Sequence, residues 1–210
     1  MKVAITALCV GRPVAFRGGE TSAIAKAPVA GRVAIGPLGL AGDEQADAKN
    51  HGGPHMTVHL YPRDHYARWR EEIGNHPLLA ADNAFGENIV ASGIDETCMH
   101  IGDRFRLGTA LLEVSQPRKP CWKIEHRFRR EGMVAHILQS GWCGWYFRVL
   151  EPGAAQVGGM LERVSTGSAM TVAQAFETLW GNPKGATFEE RVALADVAAL
   201  TPGLREKLVR

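Results

Sequence analysis

The chain has 210 residues, of which 45% are hydrophobic and 22% are charged, and its formal net charge is +2. This length suits one large domain, or one medium domain with a small appendix, and the composition is ordinary for a soluble globular protein. The small net charge does not indicate a nucleic-acid or membrane surface, and no apolar run reaches the roughly 18 residues that span a bilayer.

The first segment, Met1–Val10, is apolar enough to imitate a signal peptide. We expect a first strand instead, because the run is short, one lysine precedes it and no small-x-small cleavage site follows. Similar short, often β-branched runs, punctuated by Gly, Pro and Asp, continue to about residue 165. The predicted strands are Val3–Val10, Ala23–Ala27, Arg32–Ile35, Thr57–Tyr61, Arg104–Leu107, Leu111–Ser115, Tyr146–Leu150 and Met160–Val164.

Two predicted helices interrupt the strands. Pro62–Ile73 has proline at a helix start, with Tyr66 and Trp69 at helical spacing. Arg129–Ser140 has apolar residues on one face, and Gly141 stands where a helix often ends. Because strands dominate, the chain is predicted to be mainly β with helical insertions, a β-barrel rather than alternating βαβ units.

The composition changes to short amphipathic helices after about residue 165. Thr171–Gln174 and Thr187–Glu190 are capping boxes, and Thr201 is an N-cap followed by proline. We therefore predict a barrel domain of residues 1–165 and a three-helix domain of residues 166–210. Three such helices bury little surface alone, so we expect them to pack on the barrel or on a partner.

Four cysteines are present, namely Cys9, Cys98, Cys121 and Cys143. None forms a CxxC pair, so a zinc ribbon or a thioredoxin-like motif is disfavoured. A chain of this size does not need disulfides, and reduced thiols in the cytoplasm fit best.

The segment Ser115–Lys123 places Cys121 on a proline-stiffened loop among basic side chains. Arg118, Lys119 and Lys123 lie within three residues of the sulfur, and nearby cations favour the thiolate, which is the nucleophile and the soft-metal ligand. The alternative is an inert, packed cysteine with solvated lysines around it, and these residues alone do not separate the two. The loop is followed by three arginines, Arg127, Arg129 and Arg130. They either extend the positive charge around Cys121 or form a solvated helix face.

Four histidines, His51, His55, His59 and His65, crowd one stretch of the chain. Gly52–Pro54 breaks any helix between the first two and no HExxH occurs, so a zinc site is disfavoured. The glycine pair is more informative, because consecutive glycines let backbone N–H groups surround an anion. A plain tight turn is the alternative.

Two further polar turns are GLAGD at Gly39–Asp43 and FGEN at Phe85–Asn88. Asp43, Glu87 and Asn88 either hydrogen-bond the edge of a heterocycle or fix their own loops. Several such turns at one end of a barrel would make a pocket. The sequence has no GxSxG, no P-loop and no GxGxxG after a strand, which disfavours a serine hydrolase, an NTPase or a dinucleotide-binding fold.

These turns and the cysteine loop, in this order, resemble the MOSC domain family, named after the C-terminal domain of molybdenum cofactor sulfurase. The segments that carry the resemblance are Gly39–Asp43, His51–Gly53, Phe85–Asn88, Gly102–Asp103, Ser115–Cys121 with Lys123, and Gly144–Leu150. The helical tail resembles the three-helix domain of the bacterial subfamily linked to hydroxylaminopurine resistance. The resemblance covers nearly the whole chain and implies a MOSC-type β-barrel.

The resemblance implies a molybdenum cofactor (molybdopterin) in the barrel mouth, with Cys121 as catalytic residue and as protein ligand of the metal. The residues implied to bind the cofactor are His51, Gly52, Gly53, Asn88, Ser115, Arg118 and Lys123. The basic ones would keep the thiolate ionised and, with the glycine turn, hold the pterin phosphate, while the asparagine and serine would read the pterin ring.

The implied reaction is the reduction of N-hydroxylated purines and related compounds to amines, which detoxifies base analogues. Electrons would come from a separate reductase, because the chain has no ferredoxin cysteine set and no flavin fingerprint. One alternative is a sulfur carrier or cofactor-handling module with a persulfide on Cys121. A second is a non-enzymatic binding protein with an empty pocket, and a homodimer is also left open.

Overall fold

The computed structural model describes residues 1–47, 52–182 and 184–209. The strands are β1 Lys2–Val10, β2 Val14–Ala15, β3 Thr21–Ser22, β4 Ala27–Pro28, β5 Arg32–Gly36, β6 Gly39–Leu40, β7 Val58–Pro62, β8 Ile89–Ala91, β9 Arg104–Leu107, β10 Ala110–Pro117, β11 Trp145–Glu151, β12 Gly153–Gln156 and β13 Met160–Ser165. The α-helices are α1 His65–Ile73, α2 Pro77–Ala80, α3 Lys123–Phe128, α4 Met133–Ser140, α5 Val172–Phe176, α6 Phe188–Ala195 and α7 Pro202–Leu208.

Seven strands close into a barrel in the order β13-β9-β10-β11-β7-β8-β1. The ends of this sheet meet where β1 pairs with β13, with Lys2 opposite Glu162. Neighbours are antiparallel except β7 and β8, which run parallel. Closure removes the open edges that would otherwise template aggregation. The prediction of a mainly β barrel with helical insertions is confirmed.

All residues of strand β7 are buried. One face points into the barrel core, and on the other face Tyr61 packs against helix α1. Trp69 of α1 donates a hydrogen bond from its indole to the Tyr61 hydroxyl, 2.7 Å away. Phe85 stacks on the Tyr61 ring with 4.1 Å between the ring centroids.

Two sequence predictions at element boundaries are wrong. The first helix begins at His65, because Pro62 ends β7 and is paired with Ala91 of β8. A proline fixes the same φ at a strand end as at a helix start, so its presence does not distinguish them. The predicted strand at Ala23–Ala27 is reduced to β3 and β4, which flank an irregular segment.

The helix predicted over Arg129–Ser140 begins later than predicted, as α4 at Met133, and a separate helix, α3, precedes it. Arg129 adopts a left-handed conformation with φ of 49° and ends α3, and Gly132, with φ of 85°, precedes α4. Helix α3 was not predicted, because its 6 residues are too few to show a clear apolar period. The predicted stop at Gly141 is confirmed, with φ of 73° and its amide bonded to the Ile137 carbonyl.

The C-terminal helices share the barrel's core. Both predicted capping boxes are present, at Thr171 and Thr187, and a π-helical turn, Glu177–Gly181, continues α5. Phe176 and Leu208 belong to the same apolar cluster as the barrel side chains. Residues after Ser165 therefore pack on the barrel, the first of the two arrangements that the sequence left open.

Gly144, which precedes β11, is a position where only glycine fits. Its φ is +69°, and a Cβ there would lie 2.5 Å from the carbonyl oxygen of Leu60. Gly144→Ala is expected to lower the free energy of unfolding by about 2 kcal/mol or more, through both the left-handed backbone and the clash. Urea denaturation measures this. Gly185→Ala has a similar φ of +77° but open space around it, so a similar loss in both variants would contradict the steric part.

Candidate functional site

Cys121 lies on the loop of residues 118–122, between the end of β10 and the start of α3. The loop is anchored at both ends. The Arg118 amide donates to the Gly144 carbonyl at 3.0 Å, and the Cys121 carbonyl accepts from the Ile124 amide at 3.1 Å. The side chain of Cys121 is half-buried. The predicted loop is therefore present, and Lys123 stands on the first turn of a helix.

A cleft beside the Cys121 sulfur, here called the inner cavity, encloses about 660 Å³ of empty space including its solvent-open part. It brings together four predicted residues, Asn88, Arg118, Cys121 and Lys123. The lining residues that the sequence reading did not assign to the site include Ser22, Lys26, Met56, His59 and Tyr146. These residues come from distant parts of the chain, and no local sequence pattern marks them as members of one cavity.

Arg118 is a buried cation with spare hydrogen-bonding capacity. Its side chain is 6% exposed, and Nη1 has no hydrogen-bond partner among the described residues. Nη2 lies 3.5 Å from the Phe85 carbonyl oxygen, which is a weak contact. A buried guanidinium is costly unless it is paired, so this one is suited to an anionic ligand.

Lys123 is the second buried cation of the inner cavity, with 8% of it exposed. Its Nζ lies 3.3 Å from the Thr21 carbonyl oxygen and 3.7 Å from a carboxylate oxygen of the exposed Glu20. Neither contact neutralises the charge as a short, buried ion pair would. Together with Arg118 it makes this wall of the cavity electropositive.

Asp43 organises the opposite wall. Its carboxylate accepts from Lys26 at 2.5 and 2.6 Å, from the Gly11 amide at 2.8 Å and from the Asn88 side chain at 2.8 Å. Of the two roles that the sequence left open for Asp43, the loop-fixing one is the one its contacts show. Lys26 is neutralised by this pair. The lining of the cavity also includes the carboxylates of Glu44 and Asp47, and Glu44 lies 3.4 Å from Arg12.

Asn88 lines the inner cavity, but its own polar atoms are occupied. Its Oδ1 accepts from the His59 amide at 3.0 Å, and its Nδ2 donates to the Cys9 carbonyl and to Asp43. These three bonds join β7, β1 and the GLAGD turn. The side chain therefore sets the shape of the cavity, and contact with a pterin remains a prediction.

Three other predicted binding residues, Ser115, Gly52 and Gly53, are not among the described residues that line the inner cavity. Ser115 is fully buried, and its hydroxyl lies 2.6 Å from the His55 carbonyl oxygen and 3.0 Å from that of Tyr146. Gly52 is buried, and the Gly53 amide donates to the Gln45 side chain at 3.0 Å. His51 lies outside the described residues. The predicted anion-binding role of this turn remains a prediction.

Glu87 and Arg127 belong to the scaffold under the cavity. Glu87 is fully buried and accepts hydrogen bonds from the Tyr66 hydroxyl and the Phe85 amide, while burial raises the pKa of its carboxyl group. Arg127 donates to the Ala84 carbonyl at 2.9 Å. The suggestion that Arg127 lies on a solvated helix face is therefore wrong, because its guanidinium binds Asn83 and Ala84, immediately before the FGEN turn.

His59 is a buried base in the cavity wall. Burial, and after it the nearby Arg118 cation, lower the pKa of His59 well below its ordinary value of 6.5. Its Nε2 has no hydrogen-bond partner among the described residues. The imidazole is therefore neutral in the folded protein near neutral pH.

The free energy of unfolding is expected to fall as the pH drops below about 6.5. There the unfolded chain binds a proton at His59 that the folded protein does not, which costs up to about 1.4 kcal/mol per pH unit. Urea denaturation from about pH 7.5 to about pH 5.5 should show a smaller loss in His59→Gln than in the wild type. Equal slopes in the two proteins would assign the pH dependence to other groups.

A second cleft, here called the outer cavity, lies between the barrel and the C-terminal helices and encloses about 1660 Å³ of empty space on the same measure. Met56, Cys121 and Tyr146 line both cavities. The wall that the two cavities share therefore contains the one reactive thiol predicted from the sequence. The rest of the outer cavity comes largely from the segment that the sequence treated as an appendix.

The chemistry of Cys121 depends on what else could bind a metal. The described residues contain no cluster of three or more His, Cys, Asp or Glu side chains that could hold a metal ion. A metal at Cys121 would thus need a cofactor that brings its own ligands. None of the described helices is long and apolar enough to cross a membrane.

The closed barrel and the cysteine loop define the class to which this chain belongs. The sequence model of the MOSC domain matches residues 47–162, which is more than half of the chain. The chain therefore belongs to the MOSC domain family, as its ordered motifs predict. MOSC domains in general are associated with binding of the molybdenum cofactor.

Individual relatives cover most of this chain. Protein YiiM of Escherichia coli (strain K12) is 40% identical over 173 residues, which is 82% of this chain and 77% of that protein. The crystal structure of YiiM from Geobacillus stearothermophilus superposes with a TM-score of 0.82 at 30% identity, covering 98% of this chain and 97% of that one. A protein of Gibberella moniliformis named "Reductase" is 42% identical over 138 residues, 65% of this chain but 24% of that protein.

The residues present at the inner cavity fit a molybdenum cofactor. The unpartnered Nη1 of the buried Arg118 offers a donor to a phosphate, and Lys123 adds a second positive charge. Cys121 supplies a sulfur donor at the same cavity, which suits a soft-metal centre. A phosphate-bearing ligand with one metal–sulfur bond to the protein matches this donor set.

Proposed function

We propose that this protein is a molybdenum cofactor-dependent oxidoreductase that reduces N-hydroxylated purines and related N-hydroxy compounds to amines. The observation that carries the proposal is the position of Cys121 in the wall shared by two cavities, one of which is also lined by the buried cations Arg118 and Lys123. In this arrangement the inner cavity would hold a cofactor beside Cys121, and the outer cavity would admit a substrate.

The chain's own residues hold and orient the reacting groups. Cys121 would bind the metal, and Arg118 and Lys123 would hold the cofactor phosphate by charge-assisted hydrogen bonds. Asp43 and Asn88 keep the walls of the inner cavity at a fixed separation through the bonds described above. When bound, the cofactor supplies two electrons that, with two protons, convert an N-hydroxylamine into an amine and water.

The proposed reaction needs a source of electrons. The sequence contains no ferredoxin cysteine set and no flavin fingerprint, so we propose a separate reductase as partner. The fungal protein named "Reductase" supports a redox role, because a region similar to this chain occupies 24% of its length. Its remaining length leaves room for other activities in the same polypeptide.

Metal analysis and a reduction assay together test the proposed function. Protein made in a molybdate-supplied host should contain molybdenum and pterin, and with a chemical reductant it should convert 6-hydroxylaminopurine to adenine. A protein that gains one sulfur on Cys121, removable by reductant, and has no turnover would instead be a sulfur carrier. Protein without metal or persulfide from the same host would be a binding protein.

A further inference from the structure

The outer cavity has the chemistry of a nucleotide site, beginning with its charge. The cations that line it are Lys119, Arg191 and Lys207, and no Asp or Glu is found among the described residues that line it. Arg191 is half-buried, and its Nε is buried without a hydrogen-bond partner in the described part of the chain. An unpaired cationic donor, in a cavity whose described charged side chains are all positive, favours an anionic ligand.

The same cavity contains an aromatic surface. Trp180 lines it and is held by Phe176, with 5.7 Å between ring centroids and a 70° angle between the planes. The Nζ of Lys119 lies 5.8 Å from the Trp180 ring centroid. Indole faces stack well on planar heterocycles, and a stacked base is worth about 1–3 kcal/mol.

A spare hydroxyl group completes the polar set. The Oγ1 of Thr201 is buried without a hydrogen-bond partner among the described residues, although Thr201 is the N-cap residue of helix α7. The apolar part of the cavity is contributed by Leu179, Leu204 and Leu208. A planar ring, a hydroxyl-bearing sugar and a phosphate would each find a matching group here.

We infer that the outer cavity binds the substrate as a nucleotide, so that N-hydroxylated purine nucleoside monophosphates are preferred to the free bases. The base stacks on Trp180 on the side shared with Cys121, and the phosphate is bound by Arg191 and Lys207. The inference rests on the proposed function for its reaction. A free base would leave Arg191 and Lys207 without an anion.

Binding of AMP and of adenosine to the purified protein tests this inference without any turnover. Isothermal titration calorimetry should show AMP binding at least about tenfold more tightly than adenosine, since a charge-assisted bond is worth about that factor. Arg191→Gln should weaken AMP binding about tenfold and leave adenosine unchanged. Trp180→Ala should weaken both ligands.

Two controls locate the binding. Lys184→Gln removes an exposed charge from the turn before α6, outside the residues that line the cavity, and should bind AMP as the wild type does. Arg118→Gln should also leave AMP affinity within about twofold, because the phosphate lies in the other cavity. Lys207→Gln replaces Arg191→Gln if circular dichroism shows that the latter is unfolded.

Equal affinity for AMP and adenosine would overturn the inference. Loss of AMP binding in Arg118→Gln, together with unchanged AMP binding in Arg191→Gln, would also overturn it. That result would assign the phosphate to the inner cavity. A protein that binds AMP as described but contains no molybdenum and reduces no hydroxylaminopurine would contradict only the proposed function. The two failures are therefore separable.

Discussion

Cys121→Ser is expected to remove molybdenum from the purified protein and to lower the rate of 6-hydroxylaminopurine reduction by more than about 100-fold. A serine hydroxyl stays protonated near neutral pH and is a poor ligand for a soft metal, whereas a thiolate is a strong one. The fold should survive, because the loop is held by backbone bonds of Arg118 and Cys121 and not by the sulfur. Metal content, activity and thermal unfolding are measured on the same sample.

Cys98→Ser is the matched control for this substitution. Cys98 is also half-buried, but its thiol bonds to the Asp95 carbonyl and lines neither cavity. The Cys98→Ser variant should retain both molybdenum and the reduction of 6-hydroxylaminopurine. If Cys121→Ser retained both as well, Cys121 would have no ligand role and the proposed mechanism would lose its central residue.

Asp43→Ala is expected to lower the free energy of unfolding by about 3–5 kcal/mol. The substitution leaves the ammonium group of Lys26 buried and unpaired, with 9% of the side chain exposed. It also removes the acceptor for the Gly11 amide and for Asn88. Removing one partner of a buried, hydrogen-bonded pair costs more than the pair contributes, since the remaining charge keeps its desolvation penalty.

Urea denaturation measures this loss, and two further variants interpret it. Adding Lys26→Met to Asp43→Ala should restore part of the stability, because the stranded charge is gone. Glu162→Gln breaks the exposed pair between Lys2 and Glu162, whose side chains are about half exposed, and should cost less than about 1 kcal/mol. Comparable losses in Asp43→Ala and Glu162→Gln would show that the buried pair does not organise the inner cavity.

The cysteine loop and the barrel class were predictable because their signals are local. Prolines restrict φ at and before their own positions, and short β-branched runs between turn residues are typical of strands. The family followed from six ordered motifs, from Gly39–Asp43 to Gly144–Leu150. The capping boxes at Thr171 and Thr187 were likewise found correctly, since each satisfies amide groups within one helical turn.

Boundaries and side-chain roles were less predictable because they depend on partners distant in sequence. The role of Pro62 is decided by its pairing with Ala91, which no local pattern encodes. Asn88 has the composition of a ligand-reading residue, but its amide is bound by Cys9 and Asp43. Arg127 has the pattern of a solvated face, yet its guanidinium binds the Ala84 carbonyl just before the FGEN turn.

The amino-acid sequence by itself determined the barrel class and the family, and it singled out the cysteine on which the proposed chemistry rests. Only the tertiary structure decided that Lys26, His59 and Tyr146 surround that cysteine, and that the C-terminal helices form a second cavity beside it. The physical reason is that loop and cap signals act over a few residues. A cavity, in contrast, is made by side chains that meet when the barrel closes and the helices bury their apolar faces on it.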